Sequence, residues 1–173
     1  MRHLKWLLPL SLLFALGPGC GGKPPRSFHD TERGFSYTPP AGWTVTLSRP
    51  SRYRCHVGPA QGGVTPSIVV FKSEHPGTVQ AYADYAEAEF KRSGAFLTSP
   101  GKDPFKTEDG EAGVRWHYTA DLLTTNPPRR VRISDYLLGT GDYKYSLHCT
   151  APAEGGEAYD AIFDSVAKSF RID

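Results

Sequence analysis

The stretch that most constrains this chain is 129–150, RRVRISDYLLGTGDYKYSLHCT, two alternating runs joined by Gly139-Thr140-Gly141. Alternation at period two in both runs marks half-buried antiparallel strands, and a three-residue glycine loop between them marks a hairpin. One side carries Val131, Ile133 and Leu137, then Tyr143, Tyr145, Leu147 and Cys149. The other carries Arg130, Arg132 and Ser134, then Lys144, Ser146 and His148. A three-residue loop pairs Leu138 with Asp142, and hence Leu137 with Tyr143, Ile133 with Leu147 and Val131 with Cys149. That register sets apolar against apolar, and a slip of one residue breaks it. The hairpin is therefore expected to form the core of one antiparallel sheet.

The rest of the chain supplies short strands and two helices. Phe28 to Thr31 and Gly34 to Thr38 read as a first small hairpin, and Pro39-Pro40-Ala41-Gly42 turns into a strand carrying Trp43, Val45 and Leu47. Arg52 to Val57 and the hydrophobic Ser67 to Ser73 follow, the latter expected at the centre of the sheet. Over 78–93 the period changes: Val79, Tyr82, Ala86 and Phe90 share one helix face, with Thr78 as N-cap and Gly94 beyond the C-terminus. Ala95–Thr98 and Asp103–Thr107 read as two short strands divided by Pro100-Gly101, and 111–123 alternates with Val114, Trp116, Tyr118, Ala120 and Leu122 on one side. A second helix over 157–168 carries Tyr159, Ile162, Phe163 and Val166, and Phe170 and Ile172 end the chain as a strand.

Residues 1–19 have a basic start and an apolar run too short to span a bilayer permanently, which is the pattern of a secretory signal peptide. Cys20 after Gly19 resembles the lipobox of bacterial lipoproteins, so 20–27 is expected to be a lipidated, palmitate-bearing cysteine and a tether; an ordinary secreted chain is the alternative. Seven residues of tether reach about 25 Å when extended, and Gly21 resembles the position-two residue of lipoproteins sent to the periplasmic side of an outer membrane. Without Arg2 and Lys5 the 20 basic residues fall to 18, equal to the 18 acidic ones, so bulk charge gives no reason to expect nucleic acid. Of three cysteines, a lipidated Cys20 leaves Cys55 and Cys149 to form a disulfide in an oxidising compartment or to stay as two buried thiols.

Two places resemble PsbP-like domains: Gly34-Phe35 with Tyr37, Pro39, Gly42 and Trp43, and Ile162-Phe163-Asp164-Ser165-Val166 with Ser169-Phe170. The order of elements between them agrees over most of 28–173. The resemblance implies an α+β domain, a single antiparallel β-sheet meander with two main helices packed on it, and a non-enzymatic accessory role in an extracytoplasmic space. It carries over no cofactor and no partner.

The chain's own candidate chemistry is sparse. His56, His75, His117 and His148 fall in strands and loops. In the register above His148 faces Arg132, which disfavours a cation there, and His117 and His148 come out roughly 10 Å apart. A metal site or an envelope enzyme using His117 and His148, or His56, is the alternative to a binding module. There is no G-x-S-x-G elbow and no glycine-rich loop opening a helix. Arg129, Arg130 and Arg132, with Arg115 and Lys144 as expected neighbours, make either a solvated face balanced by Asp121 or a docking face for an acidic protein or anionic head groups. The sequence thus points to a membrane-attached binding module with an unknown protein or small-ligand partner, no nucleic acid and no cofactor.

Overall fold

The alternating runs form strands and the 3.6-period runs form helices in a computed structural model that describes residues 26–47, 53–123, 125–139 and 141–173, with the side chains of 96 and 97 excepted. The signal segment, Cys20 and most of the tether therefore lie outside the described residues. A seven-stranded antiparallel sheet is built from β3 (Thr44–Leu47), β4 (Arg54–Val57), β5 (Ser67–Glu74), β6 (Phe96–Lys106), β7 (Ala112–Leu122), β8 (Arg129–Leu138) and β9 (Tyr143–Pro152). Its order is β3-β4-β5-β9-β8-β7-β6. The expected single sheet is corrected here, because β1 (Phe28–Asp30), β2 (Phe35–Tyr37) and β10 (Arg171–Ile172) form a separate three-stranded sheet with β2 in the middle. These strands are too short to extend the large sheet, and Phe28, Phe35, Tyr37 and Ile172 instead pack down onto it. β9, not β5, is the middle strand of the seven.

Helix α1 (Val79–Arg92) covers one face of the large sheet, with Val79, Tyr82 and Ala83 on Val114 and Leu137, and Phe90 on Trp116 and Tyr118. Thr78 caps its first turn, Oγ1 accepting the Ala81 N–H at 3.1 Å, and Glu87 meets Lys91 at 2.7 Å. Helix α2 (Asp160–Lys168), entered through a 3-10 turn at Gly156–Tyr159, shares the opposite face with the small sheet. There Phe163, Val166 and Ala167 join Tyr136, Leu138, Tyr145 and Leu147, all nearly inaccessible. Each such large apolar side chain contributes about 1.5–3 kcal/mol by leaving water.

The hairpin register differs from the expected one by three residues. Leu138 pairs with Tyr145, Tyr136 with Leu147, Asp135 with His148 and Val131 with Pro152. A shift by an odd number exchanges faces, so Val131, Ile133 and Leu137 lie under α1 while Tyr145, Leu147 and Cys149 lie under α2. Matching apolar to apolar cannot set this register, because β8 is buried on both faces from Ile133 to Leu138. The turn is set instead by Gly139, whose φ of +127° and 2.5 Å approach of a would-be Cβ to the Tyr143 carbonyl exclude any side chain. The two short strands expected over 95–107 are one strand, β6, kept continuous through register shifts around Pro100-Gly101.

The disulfide between Cys55 and Cys149 is also corrected: both are buried free thiols. Cys55 pairs across with Val69, and Val69 with His148, so a whole strand separates the two cysteines. They also project from opposite faces of the sheet. Two strand spacings make about 10 Å, beyond the roughly 7 Å between Cα atoms that a disulfide spans.

Candidate ligand pocket

The α1 face of the sheet holds a buried carboxylate, Asp135, among polar partners. Asp135 is 6% exposed, and β-sheet alternation places it between Ile133 and Leu137 on the side facing α1. Three side chains converge on it. The Tyr118 hydroxyl donates to Oδ2 at 2.7 Å, the Ser146 hydroxyl to Oδ1 at 3.3 Å, and His148 Nδ1 lies 2.8 Å from Oδ1. A carboxylate only accepts, so His148 carries its proton on Nδ1 and leaves Nε2 as the free edge of the ring. Burial pushes the imidazole down, but the charge and hydrogen bond of Asp135 outweigh it, and the proton is held above the ordinary histidine value. Tyr118 is driven far up by burial and by Asp135, so it stays a donor.

His148 lines a pocket of about 240 Å³. Its floor is the sheet, with Ala120 and Leu122 of β7, Val131 and Ile133 of β8, and His148 and Thr150 of β9. Phe90, Ser93 and Ala95, at the end of α1 and just beyond it, form the wall, and the exposed Leu123 stands at the rim. The pocket exists because α1 ends at Ser93 and Gly94 before reaching this end of the sheet. Phe71 of β5 packs edge-on against the imidazole at 5.9 Å. A largely apolar hollow with a few polar groups, here His148, Ser93, Thr150 and Asp121, is the usual make-up of a small-molecule site. Two larger hollows are built differently. One of about 460 Å³ runs between Pro39, Pro40, Trp43 and α2, and one of about 670 Å³ is open around Gln61, the exposed Arg129 and Arg130, and Glu154.

The other expected site residues are dispersed. His148 faces Asp135, not Arg132. His117 lies on the opposite face, 2.8 Å from the Ser134 hydroxyl, and burial lowers its proton affinity. His56 is buried beneath the small sheet against the Tyr37 hydroxyl, and burial lowers it too. His75 lies between Tyr82 and Tyr85. Among the described residues no three metal-ligating side chains come together.

The docking face is corrected as well. Arg132 forms a two-pronged pair with Asp160, at 2.7 and 3.1 Å, and Arg115 pairs with Asp164 at 3.1 Å. Both acids stand on α2, one turn apart, so this side of the sheet is a helix-clamping surface rather than a solvated one. Arg130 lies 3.5 Å from Asp121, and Arg129 donates to the Gly62 carbonyl at 2.9 Å. Lys144 is fully buried on the α1 face, its ammonium donating to the carbonyls of His75 and Gly141.

Asp135 is the residue that alternation analysis does not pick out. Its available signal was a lone carboxylate inside a run, Val131 to Leu138, whose apolar residues occupy both parities.

No protein-family model matches the sequence, and neither does any curated protein. Solved structures do resemble it. The cyanobacterial PsbP protein CyanoP of Synechocystis sp. PCC 6803 superposes with a TM-score of 0.59 at 16% identity, covering 91% of this chain and 99% of that one. A Bacteroides thetaiotaomicron structure gives 0.53 at 16% identity, with 87% of this chain on 49% of that one. A Pseudomonas aeruginosa protein of unknown function gives 0.53 at 13% identity over 83% and 94%. The resemblance first carried by the Gly-Trp turn and the closing helix is thus matched over the whole architecture, and this chain has the PsbP-like fold.

Proposed function

We propose that this protein is a lipid-anchored, extracytoplasmic binding module of a bacterial envelope that captures a small, largely apolar ligand without transforming it. The observation that carries the binding reading is the pocket at the end of α1, largely apolar, with one oriented imidazole beside the polar Ser93, Asp121 and Thr150. The reading without chemistry follows the resemblance to PsbP-like domains, and among the described residues Nε2 of His148 is left to meet a ligand. The anchor reading rests on Cys20 following a short apolar run, and a short tether keeps the domain near the membrane.

Two measurements test this. Labelling with a palmitate analogue is expected for the wild type and lost in Cys20→Ser; equal labelling overturns the anchor. Protein matured in cells and reconstituted in nanodiscs is expected to take up toluene, detected by ligand-observed NMR against empty nanodiscs. Ala95→Phe, which fills the pocket wall, is expected to abolish uptake; unchanged uptake places the ligand elsewhere.

A further inference from the structure

The chemical class of ligand follows from what meets at His148, and it rests on the binding reading above. Nδ1 is committed to Asp135, whose other oxygen is held by Tyr118, so the Asp135 charge is spread over three donors. The free ring edge makes no hydrogen bond among the described residues, while the ring lines a hollow whose walls are mostly carbon, with Ser93 and Thr150 as neutral polar neighbours and Asp121 among its residues. We propose that the pocket binds a small apolar carboxylate, its head group accepting a hydrogen bond from Nε2 of His148 and its body lying on Val131, Ile133 and Phe90. A volume of about 240 Å³ suits one aromatic ring or a short branched chain, not a long acyl chain.

The charged surroundings favour this polarity. Asp135 of β8 is the one ionised group bonded to the imidazole, and it stabilises the imidazolium, which donates from both nitrogens. β5 contributes Phe71, β7 contributes Tyr118 behind Asp135, and α1 with its following turn contributes Phe90 and Ser93. Asp121 at the rim lies 3.5 Å from Arg130. A carboxylate entering this hollow meets an N–H donor in a water-poor site, where charge-assisted hydrogen bonds are strongest. Binding is therefore coupled to protonation of His148, and it weakens as pH rises through that histidine's titration.

The test uses nanodisc-reconstituted protein with benzoate, toluene and benzyl alcohol as probes, by calorimetry and ligand-observed NMR. Benzoate is expected to bind at least about tenfold tighter near pH 6 than near pH 8.5, with proton uptake in the upper range, while toluene binds weakly and equally at both. His148→Gln, checked for folding by thermal melting, is expected to bring benzoate down to the level of toluene and remove its pH dependence. Ala95→Phe is expected to abolish both while leaving the Asp135–His148 pair in place. Toluene bound with no preference for benzoate overturns the carboxylate inference and leaves the pocket reading standing. Benzyl alcohol bound tighter than benzoate, most of all near pH 8.5, overturns it by making the imidazole an acceptor. No binding of any probe overturns both readings.

Discussion

Asp135→Asn is the substitution whose effect the structure specifies most fully. The carboxylate accepts three hydrogen bonds, from Tyr118 at 2.7 Å, His148 at 2.8 Å and Ser146 at 3.3 Å. Asparagine keeps one accepting oxygen and turns an NH2 group toward a donor, so at least one bond is lost and the charge with it. Hydrogen bonds to charged groups contribute about 1.5–3 kcal/mol each, and the net cost is roughly 2–4 kcal/mol, or about 5–15 °C in Tm for a domain of this size. The sign with pH follows from His148. Its proton is held more tightly folded than unfolded, so the stabilisation is fully present below the unfolded value of about 6.5 and is lost as pH rises through the folded one. The penalty of Asp135→Asn is therefore larger near pH 5.5 than near pH 8.5, by about 1.4 kcal/mol for every tenfold by which the pair strengthens proton binding. Urea denaturation followed by circular dichroism at both values measures it. A penalty equal at both, or larger at the alkaline one, refutes the pairing of Asp135 with an imidazolium.

Three further outcomes are expected. A reductant leaves Tm unchanged, and both Cys55 and Cys149 react with a maleimide in unfolded, unreduced protein, because the two thiols lie on opposite faces of the sheet. Gly113→Ala costs about 1–3 kcal/mol in urea melts, since its Cβ would lie 2.6 Å from both the Leu137 carbonyl and the Leu138 side chain. Asp164→Ala costs about 1.5–3 kcal/mol by releasing Arg115 and the Tyr136 hydroxyl, which donates to it at 2.6 Å, and a double-mutant cycle with Tyr136→Phe returns a coupling above about 0.5 kcal/mol.

Elements were legible in the sequence where one local signal decided them. Thr78, the Val79-Tyr82-Phe90 stripe and Gly94 define α1 nearly to the residue, and the alternation through Val114, Trp116 and Tyr118 defines β7 and its buried face. Partners were not legible, because they depend on contacts distant in sequence. β8 carries apolar side chains on both faces, so opposition of like with like permits more than one register, and the three-residue shift moved Cys149, Lys144 and His148 to the faces opposite those expected. The arginines followed: Arg115 and Arg132 read as solvent-facing until α2 supplies Asp164 and Asp160. The pocket required the register as well, since it is the Asp135–His148 pairing across β8 and β9 that gives it a polar centre.

The neighbour relation of β5 and β9 sets how this chain comes together in time. Ser67 has no partner on that side until Thr150 exists, and the whole of α1, β6, β7 and β8 is made in between. A chain growing from its N-terminus therefore carries the Ser67–Glu74 strand, SIVVFKSE, with one bare hydrogen-bonding edge until β9 has been made. Such edges recruit other strands, and pairings this distant close slowly, on the millisecond-to-second scale typical of non-local β topologies. Truncations that stop before β9 should aggregate through β5, and a holdase that shields this segment would be needed longest by chains still lacking Tyr143 to Pro152.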